Sequence, residues 1–243
     1  MTLPRIWHII KSKMITGPER RTLMIYILSA FCAVLVYVFL EKEAEKQYVP
    51  AVILKGLASL CFVSIGQLCN PGNQVSNLIV MGLIIGFIAD ILLNLRMVVK
   101  EKGQTIFLIG ILVFLTGHIM YLAAVLPLCS SKLTCIIIGI VLTTLLMIWI
   151  FKRVTAKPAF KIFGVVYIGA IMLLNCVAIA NVIAAPSPFN MMFAAGAIFF
   201  LVSDIVLILN TFGSEFKQSL RNTNISLYYI GQLLIALSLQ LLK

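Results

Sequence analysis

The chain has only two aspartates, and both lie inside apolar runs: Asp90 in "GLIIGFIADILLNL", residues 82–95, and Asp204 in "GAIFFLVSDIVLIL", residues 196–209. Each run opens on glycine and carries its Asp eight residues later. A mid-bilayer charge costs about 2.5–3.5 kcal/mol on insertion scales and usually faces the bundle interior. Two such carboxylates suit the acid-catalysed cleavage of an acetal or enol ether. There one protonated acid delivers a proton, while one carboxylate steadies the oxocarbenium-like cation or activates water. In a low-dielectric bundle, neighbouring carboxylates do not both ionise readily, so one can keep its proton.

Other polar residues fall at matching positions. Gly82, Gly86, Asp90 and Asn94 are spaced by four, which predicts one narrow stripe packed against protein. His118 and Tyr121 share a face beside Gly117; Tyr228 and Gln232 lie a turn apart; Lys55 and Ser59 do the same; and Ser203 adjoins Asp204. Counted along their spans, Asp90, Asp204, Lys55 and Tyr228 lie between the midpoint and the basic-loop face, by about 4–8 Å at 1.5 Å per residue. One cavity open to that face is therefore expected, with His118 as its floor. Structural roles compete with each of these. Lys55 and Asp90 fit a plain ion pair, His118 a hydrogen-bonded core residue, and Tyr228 and Tyr229 an aromatic belt. Tyr167 and Asn175 fit packing and interhelical hydrogen bonds.

The elements that position these groups follow from composition. Of 243 residues, 62% are hydrophobic and 11% charged, against about 45–50% and about 25% in soluble domains. Eight stretches reach the length of a membrane span: 22–40, 49–69, 77–95, 104–125, 132–151, 159–183, 190–212 and 224–242. The expectation is an all-α polytopic membrane protein with eight transmembrane helices over residues 22–243, preceded by a basic tail over 1–21. In that tail Leu3, Trp7, Ile10 and Met14 are spaced as in an interfacial helix that also holds His8. The net charge of +11 comes from residues scattered mainly between spans, which argues against nucleic-acid binding. The loops after the odd-numbered spans hold most of the Lys and Arg, so that face is assigned to the cytoplasm, although five basic residues of the tail oppose it. The six cysteines form no C-x-x-C pair and read as apolar packing residues.

Aligning Asp90 with Asp204 also aligns Gly82 with Gly196, Ala89 with Ser203, Gly117 with Gly231 and His118 with Gln232. A shift of four spans preserves direction, so this pattern fits a parallel 4+4 internal repeat. No G-x-S-x-G, H-E-x-x-H or phosphate-cradling glycine loop is present. A zinc site lacks ligands unless both aspartates contribute, so neither metal nor other cofactor is expected.

At these residues the chain resembles the YhhN-like family of multi-span membrane proteins, which includes the lysoplasmalogenases. The motifs are "GFIADILLNL", "GHIMY", "GAIFFLVSDIVL" and "YYIGQLL", in order along nearly the whole chain, with Lys55 near the start of span two. The resemblance implies hydrolysis of the sn-1 vinyl-ether bond of lysoplasmalogens to a fatty aldehyde and a glycerophospho-choline or -ethanolamine. It implies Asp90 and Asp204 as the catalytic pair and a lysophospholipid substrate drawn from the bilayer. Lys55 becomes the candidate for the substrate phosphate. Asn94, His118, Tyr121, Ser203, Tyr228 and Gln232 are the candidates that shape the pocket or hold water. Two features depart from the family pattern: Ala89 stands where glycine more often precedes the Asp, and the basic tail has no counterpart. The host membrane is expected to be the inner membrane in a bacterium or an endomembrane in a eukaryote. A different class of function, a proton-coupled transporter or lipid-handling protein, would use the same intramembrane aspartates to carry protons.

Overall fold

Polypeptide in hydrocarbon must satisfy its backbone internally, which leaves helices as the solution for apolar spans of this length. The computed structural model describes residues 17–155 and 158–242. Eight α-helices run through them: α1 (Gly17–Ala44), α2 (Tyr48–Cys69), α3 (Gln74–Leu95), α4 (Gly103–Val125), α5 (Lys132–Phe151), α6 (Pro158–Ala184), α7 (Pro188–Phe212) and α8 (Gln218–Ser238). All eight are long and apolar enough to cross a membrane. Short 3₁₀ turns at Lys100–Lys102, Leu126–Leu128 and Leu239–Leu241 complete the connections.

The predicted spans are all present, and several begin earlier than apolarity alone indicates. The Asn73 side chain accepts from Ser76 N and starts α3 three residues before position 77. Ser187, which accepts from Asn190 N, with Pro188 after it, starts α7 in the same way. The polar first turn of α8 is helical too. Helix α1 reaches back to Gly17, so Arg20 and Arg21 belong to it rather than to a separate tail. The interfacial helix expected in the tail falls on residues 1–16, outside the described residues.

Helix α8 is central and packs on α7, α2, α1 and α3, whereas α5 packs chiefly on α6 and turns Leu133, Ile140 and Leu145 outward, as lipid-facing side chains should be. The most extensive helix pairs are α3–α4 and α7–α8. Both cross at glycines. A Cβ on Gly117 would sit 3.3 Å from Gly82 O, and one on Gly231 would sit 2.9 Å from Gly196 O. These are the glycines that the repeat alignment superimposes, so the two helix pairs pack alike at corresponding residues. The six cysteines are all unpaired in disulfides, and five are buried.

Candidate active site

The glycine stripe on α3 does what its spacing predicts. At Gly82 a Cβ would overlap the Tyr121 ring, and at Gly86 it would meet Gln232 Nε2 at 3.5 Å and Tyr228 Oη at 3.9 Å. Helices α4 and α8 therefore approach α3 closely, and α8 delivers Tyr228 to the next residue of the stripe, Asp90.

Asp90 is buried with both carboxylate oxygens engaged. Ser59 Oγ and Tyr228 Oη each donate to Oδ2 at 2.6 Å, and Lys55 Nζ lies 3.1 Å from Oδ1. Lys55 is only 4% exposed. It also donates to Asn94 Oδ1 at 3.4 Å, and it lies 5.8 Å and 5.9 Å from the ring centroids of Phe39 and Tyr228. A buried ion pair is tolerable when its remaining valences are satisfied, and here two hydroxyls, an amide oxygen and two ring faces do so. Tyr229 Oη, 2.9 Å from Ser59 Oγ, buttresses the group.

Asp204 has a plainer setting. The Tyr167 hydroxyl donates to its Oδ2 at 2.7 Å, and among the described residues no cation pairs with it. Its neighbour Ser203 turns to α8, donating to Asn224 O at 3.0 Å and accepting from Asn224 Nδ2 at 2.8 Å. That clasp fixes α7 against α8 beside the carboxylate.

Both aspartates line one narrow space of about 40 Å³, with Lys55, Asn94, Ser203, Phe114 and Tyr228 among its walls. It is room on the scale of one to a few waters. Toward the basic loops it continues into a vestibule of about 330 Å³ through shared walls that include Asn94, Arg96 and Arg221. Sideways it meets an apolar recess of about 60 Å³ between α4, α6 and α7, sharing Leu93, Phe107, Phe114 and Leu207. Tyr167 lines that recess. At the mouth Arg221 donates from Nε and Nη2 to the two oxygens of Glu43, at 2.8 and 2.7 Å, tying α8 to α1. The Arg96 guanidinium lies 4.1 Å over the Phe107 ring. Burial and the nearby Arg221 bring Arg96 down to about 10, which leaves it a cation at neutral pH.

Six of the predicted residues thus line one cavity: Lys55, Asp90, Asn94, Ser203, Asp204 and Tyr228. Three others stand behind its wall. Tyr121 donates to Gln232 Oε1 at 2.7 Å, and Gln232 Nε2 donates to Tyr228 Oη at 3.4 Å, so this pair positions Tyr228. His118 lies in the core: Nδ1 donates to Phe114 O at 2.8 Å, the ring packs 4.4 Å from the Phe200 ring, and among the described residues Nε2 has no hydrogen-bond partner. The Lys55 ammonium is taken up by Asp90 and Asn94, and the guanidinium groups of Arg96 and Arg221 line the vestibule on its basic side. The geometry also settles two structural readings. Tyr228 and Tyr229 are buried and hydrogen-bonded, not belt residues. Asn175 donates within its own helix, to Ile171 O, where an interhelical bond was expected.

Tyr167 was the residue missed at the carboxylates, along with Glu43, Arg221 and Asn224 at the mouth. A signal for Tyr167 existed. It lies nine residues from the start of α6, and Asp204 lies eight from the end of α7, so both have similar depth below the basic loops.

A protein-family model, that of the YhhN family, matches residues 50–239, which include every cavity-lining aspartate, tyrosine and lysine named above. No curated protein and no solved structure matches the chain.

Proposed function

The chain belongs to the YhhN family, and from that membership and the cavity's geometry we propose that it is a membrane hydrolase of lysoplasmalogens, cleaving the sn-1 vinyl ether. The observation that carries this reading is the meeting of two buried carboxyl groups, with unlike partners, where a basic vestibule joins an apolar recess.

The headgroup occupies the vestibule, its phosphate near Arg96 and Arg221. The alkenyl chain starts in the apolar recess, which is too small to enclose it, and continues between helices into lipid. The vinyl ether then lies between the aspartates. Asp204, which has a neutral hydroxyl as partner and no cation, serves as the acid. It protonates the enol-ether carbon distal to oxygen, and the carbon attached to oxygen becomes an oxocarbenium ion. Asp90, paired with the Lys55 ammonium at 3.1 Å, faces that cation and takes a proton from the attacking water. The resulting hemiacetal collapses: its hydroxyl proton passes to Asp204, the proton on Asp90 passes to the ether oxygen, and the carbon–oxygen bond breaks. One water is consumed, a fatty aldehyde and a free glycerol hydroxyl are formed, and both aspartates return to their starting states.

Purified protein in detergent, given a vinyl-ether lysophospholipid, is expected to release aldehyde, and Asp90→Asn and Asp204→Asn are each expected to release none. Folded wild-type protein that yields no aldehyde would refute the proposal.

A further inference from the structure

The cysteine thiols differ in what they face. Cys32 and Cys61 are neighbours, but they lie in mid-span and donate to Ala58 O and Leu57 O of α2. Cys129 and Cys135 are turned to each other, with their sulfurs 3.7 Å apart. They lie at the end of the bundle opposite the vestibule, Cys129 in the connection after α4 and Cys135 in the first turn of α5. Backbone bonds from Cys129 N to Leu126 O and from Cys135 N to Ser131 O, at 3.2 and 3.1 Å, fix both ends of the segment. Cys135 Sγ also donates to Cys176 O at 3.6 Å, and Cys129 Sγ lies 3.9 Å from Ser131 Oγ. Both cysteines are buried, yet Pro127, Leu128, Ser130, Ser131 and Lys132 around them are exposed, so the pair sits just beneath the surface of the protein.

We infer that Cys129 and Cys135 are a dithiol that closes to a disulfide, clamping the start of α5 to the end of α4. Helix α5 packs chiefly on α6 and has few other partners, so a covalent tie at its first turn restrains the helix that the bundle holds least. A disulfide holds its sulfurs about 2.05 Å apart, so these two must close by about 1.6 Å, a shift that the loop residue Cys129 makes more readily than the helical Cys135. The oxidant is a small disulfide such as oxidised glutathione. The Cys129 thiolate attacks one glutathione sulfur, the glutathione disulfide breaks, and one glutathione leaves with the proton that Cys129 gave up. The Cys135 thiolate then attacks Cys129 Sγ, and the second glutathione leaves with the proton of Cys135. Two thiols lose two electrons, and one glutathione disulfide is reduced to two thiols. With the basic loops in the cytoplasm, the connection after α4 faces the other compartment, where disulfides persist. None of this depends on the hydrolase reading.

The test equilibrates purified full-length protein in detergent with oxidised or with reduced glutathione. Free thiols are trapped with iodoacetamide, and tryptic peptides are mapped without reduction. Trypsin cuts after Lys132, between the two cysteines, so a closed pair is read as two peptides joined by a disulfide. In oxidised glutathione the wild type is expected to give that cross-link and to lose both thiols to alkylation. It is also expected to melt about 5 °C higher than in reduced glutathione, the scale for closing so short a loop. Cys129→Ser and Cys135→Ser are each expected to give no cross-link and no shift in Tm, whereas Cys32→Ser is expected to keep both. Alkylation of both thiols in oxidised glutathione, a lasting glutathione adduct on Cys129, or a cross-link to Cys176 instead would each overturn the inference. A Cys129–Cys135 cross-link with unchanged Tm would overturn the clamp.

Discussion

Replacing Asp90 by Asn and replacing Asp204 by Asn should both stop turnover, yet they should differ sharply in stability. The Lys55 ammonium, 4% exposed, lies 3.1 Å from Asp90 and 3.4 Å from the Asn94 amide oxygen. In Asp90→Asn that ammonium stays buried with amide oxygens and no counter-charge. Removing one partner of a buried ion pair costs about 3–5 kcal/mol. At about 2–4 °C per kcal/mol for a chain of this size, Tm should fall by roughly 6–20 °C. Asp204→Asn keeps an oxygen acceptor for the Tyr167 hydroxyl and strands no cation, so its Tm should fall by no more than a few degrees. The double variant Lys55→Met with Asp90→Asn removes both charges, and similar-volume apolar replacement of buried pairs is often neutral. It should regain most of the stability lost in Asp90→Asn and none of the activity. Buried cysteines such as Cys32, Cys61 and Cys135 allow unfolding in detergent to be followed with a thiol-reactive dye, and aldehyde release is measured on the same samples. Equal Tm values for the two Asp→Asn variants, or a double variant no more stable than Asp90→Asn, would refute the assignment of Lys55 as counter-ion. Near-full activity in either Asp variant would refute the two-carboxylate mechanism.

Two further outcomes follow from the packing and the mouth. Gly231→Ala places a Cβ 2.9 Å from Gly196 O and 3.2 Å from Phe200 N, backbone atoms that cannot step aside, and should destabilise by about 1–3 kcal/mol. Gly139→Ala, whose nearest neighbours lie at 3.7 Å, should be tolerated, and thermal unfolding of the two variants distinguishes them. Arg96→Gln should raise KM for a vinyl-ether lysolipid about tenfold, the scale of one lost charge-assisted hydrogen bond, with kcat within about twofold. A loss confined to kcat would remove Arg96 from headgroup binding.

The spans were legible because lipid permits few alternatives, and a run of apolar residues reports its own environment. Their ends were less so: the polar first turns of α3 and α8 are helical but not apolar, and only their hydrogen bonds reveal them. The carboxylates were legible because a charge in such a run needs a reason. Tyr167 was not, since a tyrosine in an apolar helix looks the same whether it fills space or donates to a carboxylate. Glu43 and Arg221 were illegible for another reason. Each looks like an ordinary interfacial charge, and their pairing depends on how α1 and α8 cross, across most of the length of the chain. Lys55 lines the cavity, and only its distance to Asp90, not its position in the sequence, marks it as that group's counter-ion.

The alignment that superimposes Asp90 on Asp204 bears on how two similar carboxyl groups take two roles in the proposed mechanism. Helices α2 and α6 correspond under the four-span shift, and each donates to the aspartate of its own half: Lys55 and Ser59 to Asp90, Tyr167 to Asp204. The remaining donor to Asp90, Tyr228, comes from α8, and the alignment that matches Asp90 with Asp204 matches Tyr228 with Phe114. Phe114 lines the same cavity and has no hydroxyl. Among the described residues the ammonium from α2 likewise has no counterpart on α6 paired with Asp204. A common scaffold therefore holds both side chains in place, and two substitutions on it divide their environments, one holding a cation and two hydroxyls and the other a single hydroxyl. In the proposed opening of an enol ether, that division fixes which carboxyl group donates the proton. In the proposed mechanism the work of differentiation falls on Lys55 and Tyr228, and the aspartates themselves are interchangeable in chemistry.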